Sequence, residues 1–284
     1  MNFGKFTIDV VDTGLFALDG GAMFGVVPKT LWQRKYAVPD ESNRIALAAR
    51  PLLVRYDDKV ILVDTGNGTK WNEKIQRIYN IDIEKSDMEH ALTPFGLNRN
   101  DITDVIFTHL HFDHAGGGTR IENGEFAPNF PNAKYYVQKD QYNWAINPTE
   151  KDRASFLKEN YEPLRSDGQL EFTEGEGYVL PGIRVLPING HTHAMQMILL
   201  DGGEEKLLYA ADLCPTSAHV PIPYGLAYDN FPLTTIEEKK KYWTRAVEEN
   251  WTVVFEHDAY RQAGKIKLGE KGYYADDFIE ITKG

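Results

Sequence analysis

A single cysteine in 284 residues, Cys214, excludes an internal disulfide, so the fold rests on packing and on whatever its side chains coordinate. Basic residues are scarce too. Against 42 Asp and Glu stand 31 Lys and Arg, a formal charge of -11, and that sign repels a phosphate backbone and argues against nucleic-acid binding. The run Lys239 to Lys241 directly follows Glu237 and Glu238 and forms no basic patch. No apolar run reaches the roughly 20 residues that a bilayer-spanning helix needs. The opening MNFGKFTIDVV alternates like a strand and lacks the apolar core of a signal peptide. The expectation is therefore a cytoplasmic protein without a membrane partner. No low-complexity segment or long linker interrupts the chain, which reads as one compact domain over residues 1–284.

What is present is a succession of short strands. KFTIDVVD is followed by the loop FALDGGAMFGVVPKTLW and then by RPLLVRYDDKVILVDTG, a hairpin turning at Asp57-Asp58-Lys59. Its second strand, KVILVD, is apolar nearly throughout, as a strand buried on both faces should be, and ends at Asp64. A helical stretch follows in DIEKSDMEHALTPFGL, with Ser86 as the expected N-cap and Gly96 as the stop. Much later MQMILLDGGEEKLLYAADL repeats the grammar: apolar strand, acidic turn, apolar strand, aspartate, here Asp212. Two similar halves are one reading and a coincidence of hairpins the other.

Between these hairpins lies THLHFDHAGGG, residues 108–118. Three imidazoles and a carboxylate in six positions shift one another's pKa values, and burial of their charges is costly unless an ion compensates. A short strand Asp104 to Phe107 precedes them, so His109 and His111, two apart, face the same way as the chain leaves the sheet. Asp113 and His114 are adjacent and cannot share a strand face; the chain must turn and present them to a second nearby point, with Gly116 to Gly118 expected to permit the turn. Histidine nitrogen and carboxylate oxygen suit zinc and other borderline divalent metals. Cys214 reads as a small buried hydrophobe, and His90 and His193 as ordinary polar residues.

The motif His109, His111, Asp113, His114 resembles the HxHxDH signature of the metallo-β-lactamase superfamily, and the likeness extends over almost the whole chain. It implies an α/β four-layer αββα sandwich of two similar halves. NGHT, YAAD and FEHD match further motifs and supply His191, Asp212 and His257. By that likeness one metal is held by His109, His111 and His191, a second by Asp113, His114 and His257, and Asp212 bridges them. Asp64 in VDTG matches the first motif and is expected behind the ligands, orienting them. Two divalent ions, zinc foremost, can share a hydroxide whose pKa falls toward neutrality. The implied catalyst is that hydroxide as nucleophile, with Asp113 passing a proton to the leaving alkoxide.

Branches of the superfamily separate on single residues. His111 stands where the flavodiiron oxidoreductases carry glutamate, and Asp212 where the commonest zinc β-lactamases carry cysteine. FALDGGAMFGVVPKTLW and ADLCPTSAHVPIPYGLAYDNFPLT look like the N-acyl-homoserine lactonase (quorum-quenching) and methyl-parathion-hydrolase-like branch. The implied activity is opening of lactone rings, most plainly N-acyl-homoserine lactones; the alternatives are phosphotriesterase, arylesterase or thioester hydrolase action, and a non-catalytic metal-binding protein. Met23, Phe24, Val26, Val27 and Trp32 are candidates to line an acyl pocket, or equally to be ordinary core or a dimer contact, with His219, Tyr224 and Tyr228 as candidate polar contacts. Two departures stand out: Pro215 occupies the place of the branch's usual tyrosine, and GHTHAMQ replaces GHTPGH. A homodimer is the oligomer the resemblance suggests.

Overall fold

The computed structural model describes residues 1–281. Two seven-stranded mixed sheets hold most of the strands among the described residues. The first runs, in spatial order, Asn2–Phe3, Phe6–Val10, Leu52–Tyr56, Lys59–Val63, Asp104–Ile106, Lys134–Gln138 and Leu170–Thr173. The second runs Gly177–Leu180, Ile183–Ile188, Met195–Asp201, Lys206–Tyr209, Thr252–Val254, Ala263–Gly269 and Gly272–Ile279. Each contains the same unit. Leu52–Tyr56 and Lys59–Val63 form an antiparallel hairpin, and the latter runs parallel to Asp104–Ile106. Met195–Asp201 and Lys206–Tyr209 form the matching hairpin, and the latter runs parallel to Thr252–Val254. Both central strands end in a left-handed residue next to or at an aspartate: Asp64 itself (φ 56°), and Ala211 (φ 46°) before Asp212.

Period-2 alternation sorts the first sheet's side chains into two layers. Leu52, Val54, Ile61 and Val63 face a core shared with Val185, Ile198, Leu200, Leu207 and Val253 of the second sheet. Leu53, Leu62, Val105 and Tyr135 face the other way, onto Met88 and Leu92 of helix Met88–Leu92 and onto Tyr142 and Ala145 of helix Lys139–Ile146. Helix Pro232–Glu248 completes the second sheet. Proline at its first turn suits a helix start, and its buried residues, Thr235, Lys239, Tyr242, Trp243 and Ala246, recur at helical spacing along one stripe. The result is helix, sheet, sheet, helix, the layering expected from the resemblance.

A third apolar cluster lies under an N-terminal flap, made of the ribbon Leu15–Asp19 with Arg44–Ala48 and the short helices Gly20–Phe24 and Lys29–Lys35. Two local expectations need correction. The helix at Met88 is capped by Asp87, whose carboxylate accepts from Glu89 N, while Ser86 is buried and its hydroxyl donates to Thr13 O. Gly116 to Gly118 are not needed for left-handed backbone, for none has positive φ. Their requirement is proximity. A Cβ on Gly116 would stand 2.1 Å from Asn67 O, and one on Gly117 would stand 2.3 Å from Thr65 O.

These glycines press the histidine-bearing segment against the loop after Lys59–Val63, where Thr65 N donates to His114 O (2.7 Å) and Gly117 N to Gly66 O (3.1 Å). Gly117→Ala should therefore destabilise the protein by about 1–3 kcal/mol through overpacking. Gly177→Ala, at a site with no atom within 4 Å and no positive φ, should shift stability by less than about 0.5 kcal/mol. Denaturant melts of the two variants check this; equal stability would show that the close approach is not needed.

Candidate metal centre

The four sequence stretches meet at one end of the two sheets. His109 and His111 lie just beyond strand Asp104–Ile106, and Asp113 and His114 lie in the one-turn helix Phe112–Ala115. His191, Asp212 and His257 each follow a strand of the second sheet. All seven side chains are buried. His109 Nε2 and His191 Nε2 stand 3.0 and 3.1 Å from His111 Nδ1, and His257 Nε2 stands 3.1 Å from His114 Nε2. Donor atoms of His109, His111, His191 and Asp212 fall within 4.8 Å of one another, and so do those of Asp113, His114 and His257. Asp212 reaches both groups: its Oδ2 is 3.0 Å from His191 Nε2, and its Oδ1 is 3.3 Å from His257 Nε2.

In four of the five imidazoles the inward nitrogen is aimed by what the ring holds on the other side. His257 Nδ1 donates to Ala48 O (2.7 Å), and His191 Nδ1 lies 3.0 Å from Asp229 Oδ1. His114 Nδ1 lies 3.0 Å from Asp64 Oδ2. Asp64 also accepts from Thr108 N and Thr108 Oγ1, both at 2.7 Å, and this leaves Thr108 Oγ1 to receive the Nδ1 proton of His109 at 3.0 Å. Asp64 thus stands behind two of the imidazoles, where the sequence placed it. His111 is turned the other way, with Nδ1 inward and a buried, unpartnered Nε2.

Burial and mutual repulsion hold His109 and His111 well below the ordinary imidazole pKa. Burial also works against charge on His191 and His257, yet the Asp212 carboxylate, aided by Asp229 and Glu256 respectively, lifts each to about 9. Desolvation likewise opposes charge on Asp212, but His191 and His257 keep its carboxyl well below the usual range. Burial pushes Asp113 up, and it drives Asp64, which also faces the Glu256 charge, up to about 7. Asp212 Oδ1 is buried without a hydrogen bond, and three pairs of imidazole nitrogens face each other at 3.0–3.1 Å. Buried nitrogen and oxygen donors converging without a thiolate are the set that suits zinc and comparable divalent ions. The cluster fits a metal.

A cavity of about 300 Å³ opens onto His111, Asp113, His191, Asp212 and His257. Its walls include Leu18, Met23, Tyr79, Phe112, Leu226 and Tyr228, with Lys151 and Ser155 among the polar contributors. Of the residues expected to contact substrate, Met23 and Tyr228 are there and the others are not. Phe24 is buried between Trp32 (5.3 Å) and His219 (4.4 Å), stacked on both, so all three belong to the flap's core. His219 has no free nitrogen: Nε2 donates to Met23 O and Nδ1 accepts from Thr216 Oγ1, both at 2.7 Å. Val27 joins the same core, and Val26 is 92% exposed on the outside of the flap. Tyr224 packs edge-on against Phe24, off the cavity wall.

The sequence reading missed Asp229, Glu256, Tyr79 and Lys151. Glu256 carried a usable signal, a carboxylate directly after the apolar run TVVF and one residue before His257; it is fully buried with Oε2 3.2 Å from His114 Nδ1. The other three come from segments without periodic pattern or motif. Cys214 is buried away from the cavity, and desolvation pushes its thiol up to about 12.

The comparisons agree with this architecture. The family model for the metallo-beta-lactamase superfamily matches residues 49–257. An N-acyl homoserine lactonase of Bacillus cereus is 27% identical over 234 residues, covering 78% of this chain and 86% of the relative. A second N-acyl homoserine lactonase, from a Bacillus species, is 28% identical over 184 residues, 64% of this chain and 66% of the relative. A Staphylococcus aureus structure described as a "probable metal-dependent hydrolase" superposes with a TM-score of 0.89 at 31% identity, covering 99% of this chain and 98% of that one. A dizinc quorum-quenching lactonase in complex with a product shares the fold, with a TM-score of 0.81 at 21% identity over 99% and 96% of the two chains. Motif, layering and matched span lead to one conclusion: the chain belongs to the metallo-β-lactamase superfamily.

Proposed function

We propose that this metallo-hydrolase is a dinuclear enzyme that opens lactone rings, N-acyl-homoserine lactones first among them. The observation that carries the reading is Asp212, whose two oxygens reach two separate donor groups beneath one largely apolar cavity. His109, His111 and His191 would hold one cation, Asp113, His114 and His257 the other, and zinc suits both sets. When bound, such a pair supplies Lewis-acid polarisation of a carbonyl oxygen and lowers the pKa of water.

The chain's own residues do the rest. Asp113, raised by burial, lies on the cavity wall, where a carboxyl can carry the proton that water loses to the leaving alkoxide. The acyl C–O bond of the ring breaks, and water's oxygen ends in the new carboxylate. Tyr79 and Tyr228 face the same space, and burial, with the Asp113 charge, raises both phenols. They stay protonated at neutral pH and serve as hydrogen-bond donors to a substrate oxygen. Tyr228 thereby supplies a phenol from a different position than Pro215. Leu18, Met23, Phe112 and Leu226 give an acyl chain an apolar wall.

Asp113→Asn should lower kcat by about 10²–10⁴-fold, read as acid released from N-acyl-homoserine lactones of graded chain length. An unchanged rate would remove Asp113 from the mechanism. Specificity constants on lactone, aryl ester, phosphotriester and thioester substrates should rank the lactone first, and another order would reassign the substrate. Tyr228→Phe should cost about tenfold in kcat/KM, the worth of roughly one hydrogen bond. A third test concerns protons. His191 and His257, at about 9, are charged at pH 7 in the metal-free chain, whereas a ligating imidazole must be neutral. Loading the stripped protein with Zn²⁺ at pH 7 should release protons, and apparent affinity should climb as pH rises toward 9. Calorimetry in two buffers of different ionisation enthalpy measures the release; a proton-neutral titration would contradict the assignment.

A further inference from the structure

The segment 221–231 forms no helix or strand, yet Leu226, Ala227 and Tyr228 make part of the cavity wall. Its backbone is held by a small set of contacts. Asn230 N donates to His191 O (2.9 Å) and Phe231 N to Gly190 O (2.8 Å), so this end is zipped to the stretch that carries His191. Lys151 Nζ clamps the carbonyls of Tyr228 and Asp229 at 2.8 and 2.7 Å. Beside these backbone ties, one carboxylate reaches the His191 ring. Asp229, 3% exposed, places Oδ1 3.0 Å from His191 Nδ1, while its Oδ2 accepts from Leu226 N at 3.2 Å. One oxygen aims a ligand-type imidazole and the other folds the wall residue back on itself.

From this bridge we infer that Asp229 is a positioning residue that couples metal occupancy to the order of the substrate wall at 226–231. The inference rests on the metal-centre reading and not on which ester is cleaved. A cation that fixes His191 Nε2 fixes the ring, and the ring's Nδ1 then holds Asp229, and through it Leu226 and the segment bearing Tyr228. Linkage makes the coupling reciprocal: an ordered wall presents a pre-aimed His191 and tightens the metal. Loss of a carboxylate behind a ligating histidine typically costs 10–100-fold in metal affinity.

Three proteins test it: the full-length wild type, Asp229→Ala, and Asp229→Asn, which keeps an acceptor oxygen for the His191 proton. Zinc affinity by chelator competition should fall about 10–100-fold in Asp229→Ala and by an intermediate amount in Asp229→Asn. Hydrogen exchange followed by mass spectrometry should show residues 226–231 of the wild type exchanging faster after zinc is stripped. In Asp229→Ala they should exchange fast in both states. Unchanged zinc affinity in the alanine variant, or a wild-type segment indifferent to zinc, overturns the inference. If the alanine variant does not fold, the asparagine variant's affinity and the wild-type exchange decide alone. None of these readouts involves turnover, so a protein that hydrolyses no lactone yet shows the linkage would sink the substrate reading and leave this one standing.

Discussion

Everything at this site depends on buried hydrogen-bond acceptors placed behind imidazoles. A histidine has two nitrogens, and which one is free to face a cation is decided by what the other holds. Here Thr108, Asp64, Asp229 and the Ala48 carbonyl each take one Nδ1, leaving four Nε2 atoms pointed inward. Those acceptors come from two loops that follow strands of the first sheet, from the end of the flap ribbon and from an irregular segment. The rest of the fold can be understood as the scaffold that brings them to one point. Gly116 and Gly117 serve the same end by allowing backbone to meet backbone beside the loop that carries Asp64, which reaches both Thr108 and His114.

The convergence is costly without a counter-charge. Seven buried nitrogen and oxygen donors within a few ångströms drive some groups to lose protons and others to keep them, as the opposite shifts of His111 and His191 show. Divalent cations would replace this frustrated titration with coordination. The same surroundings act oppositely on the two aspartates: burial lifts Asp113, whereas His191 and His257 hold Asp212 ionised.

Much of this was legible in the chain itself. The spacing of His109, His111, Asp113 and His114 signalled a metal because ligand chemistry and local geometry coincide within six residues. The repeated hairpins left two halves and a coincidence both open, and the matching hairpin-plus-parallel-strand units of the two sheets decide for the first. His191, Asp212 and His257 have no such local pattern and came only from the family likeness. Asp229 was invisible to both routes, since its role exists only where residue 229 meets residue 191 in space. The flap was misjudged for a related reason. Phe24, Trp32 and His219 look like pocket residues by composition, but stacking on one another leaves none facing the cavity. Composition marks a segment as apolar without saying what it packs against.

The donors also divide by origin. His109, His111, Asp113 and His114 hang from the first sheet, and His191, Asp212 and His257 from the second, so the centre sits on the seam between the two repeated units. A cation held there would be gripped from both sides, a crosslink without a covalent bond, in a chain whose lone cysteine can form no internal disulfide. With the site loaded, that seam would add to the apolar core the two sheets already share, and the two halves would fall or stand together.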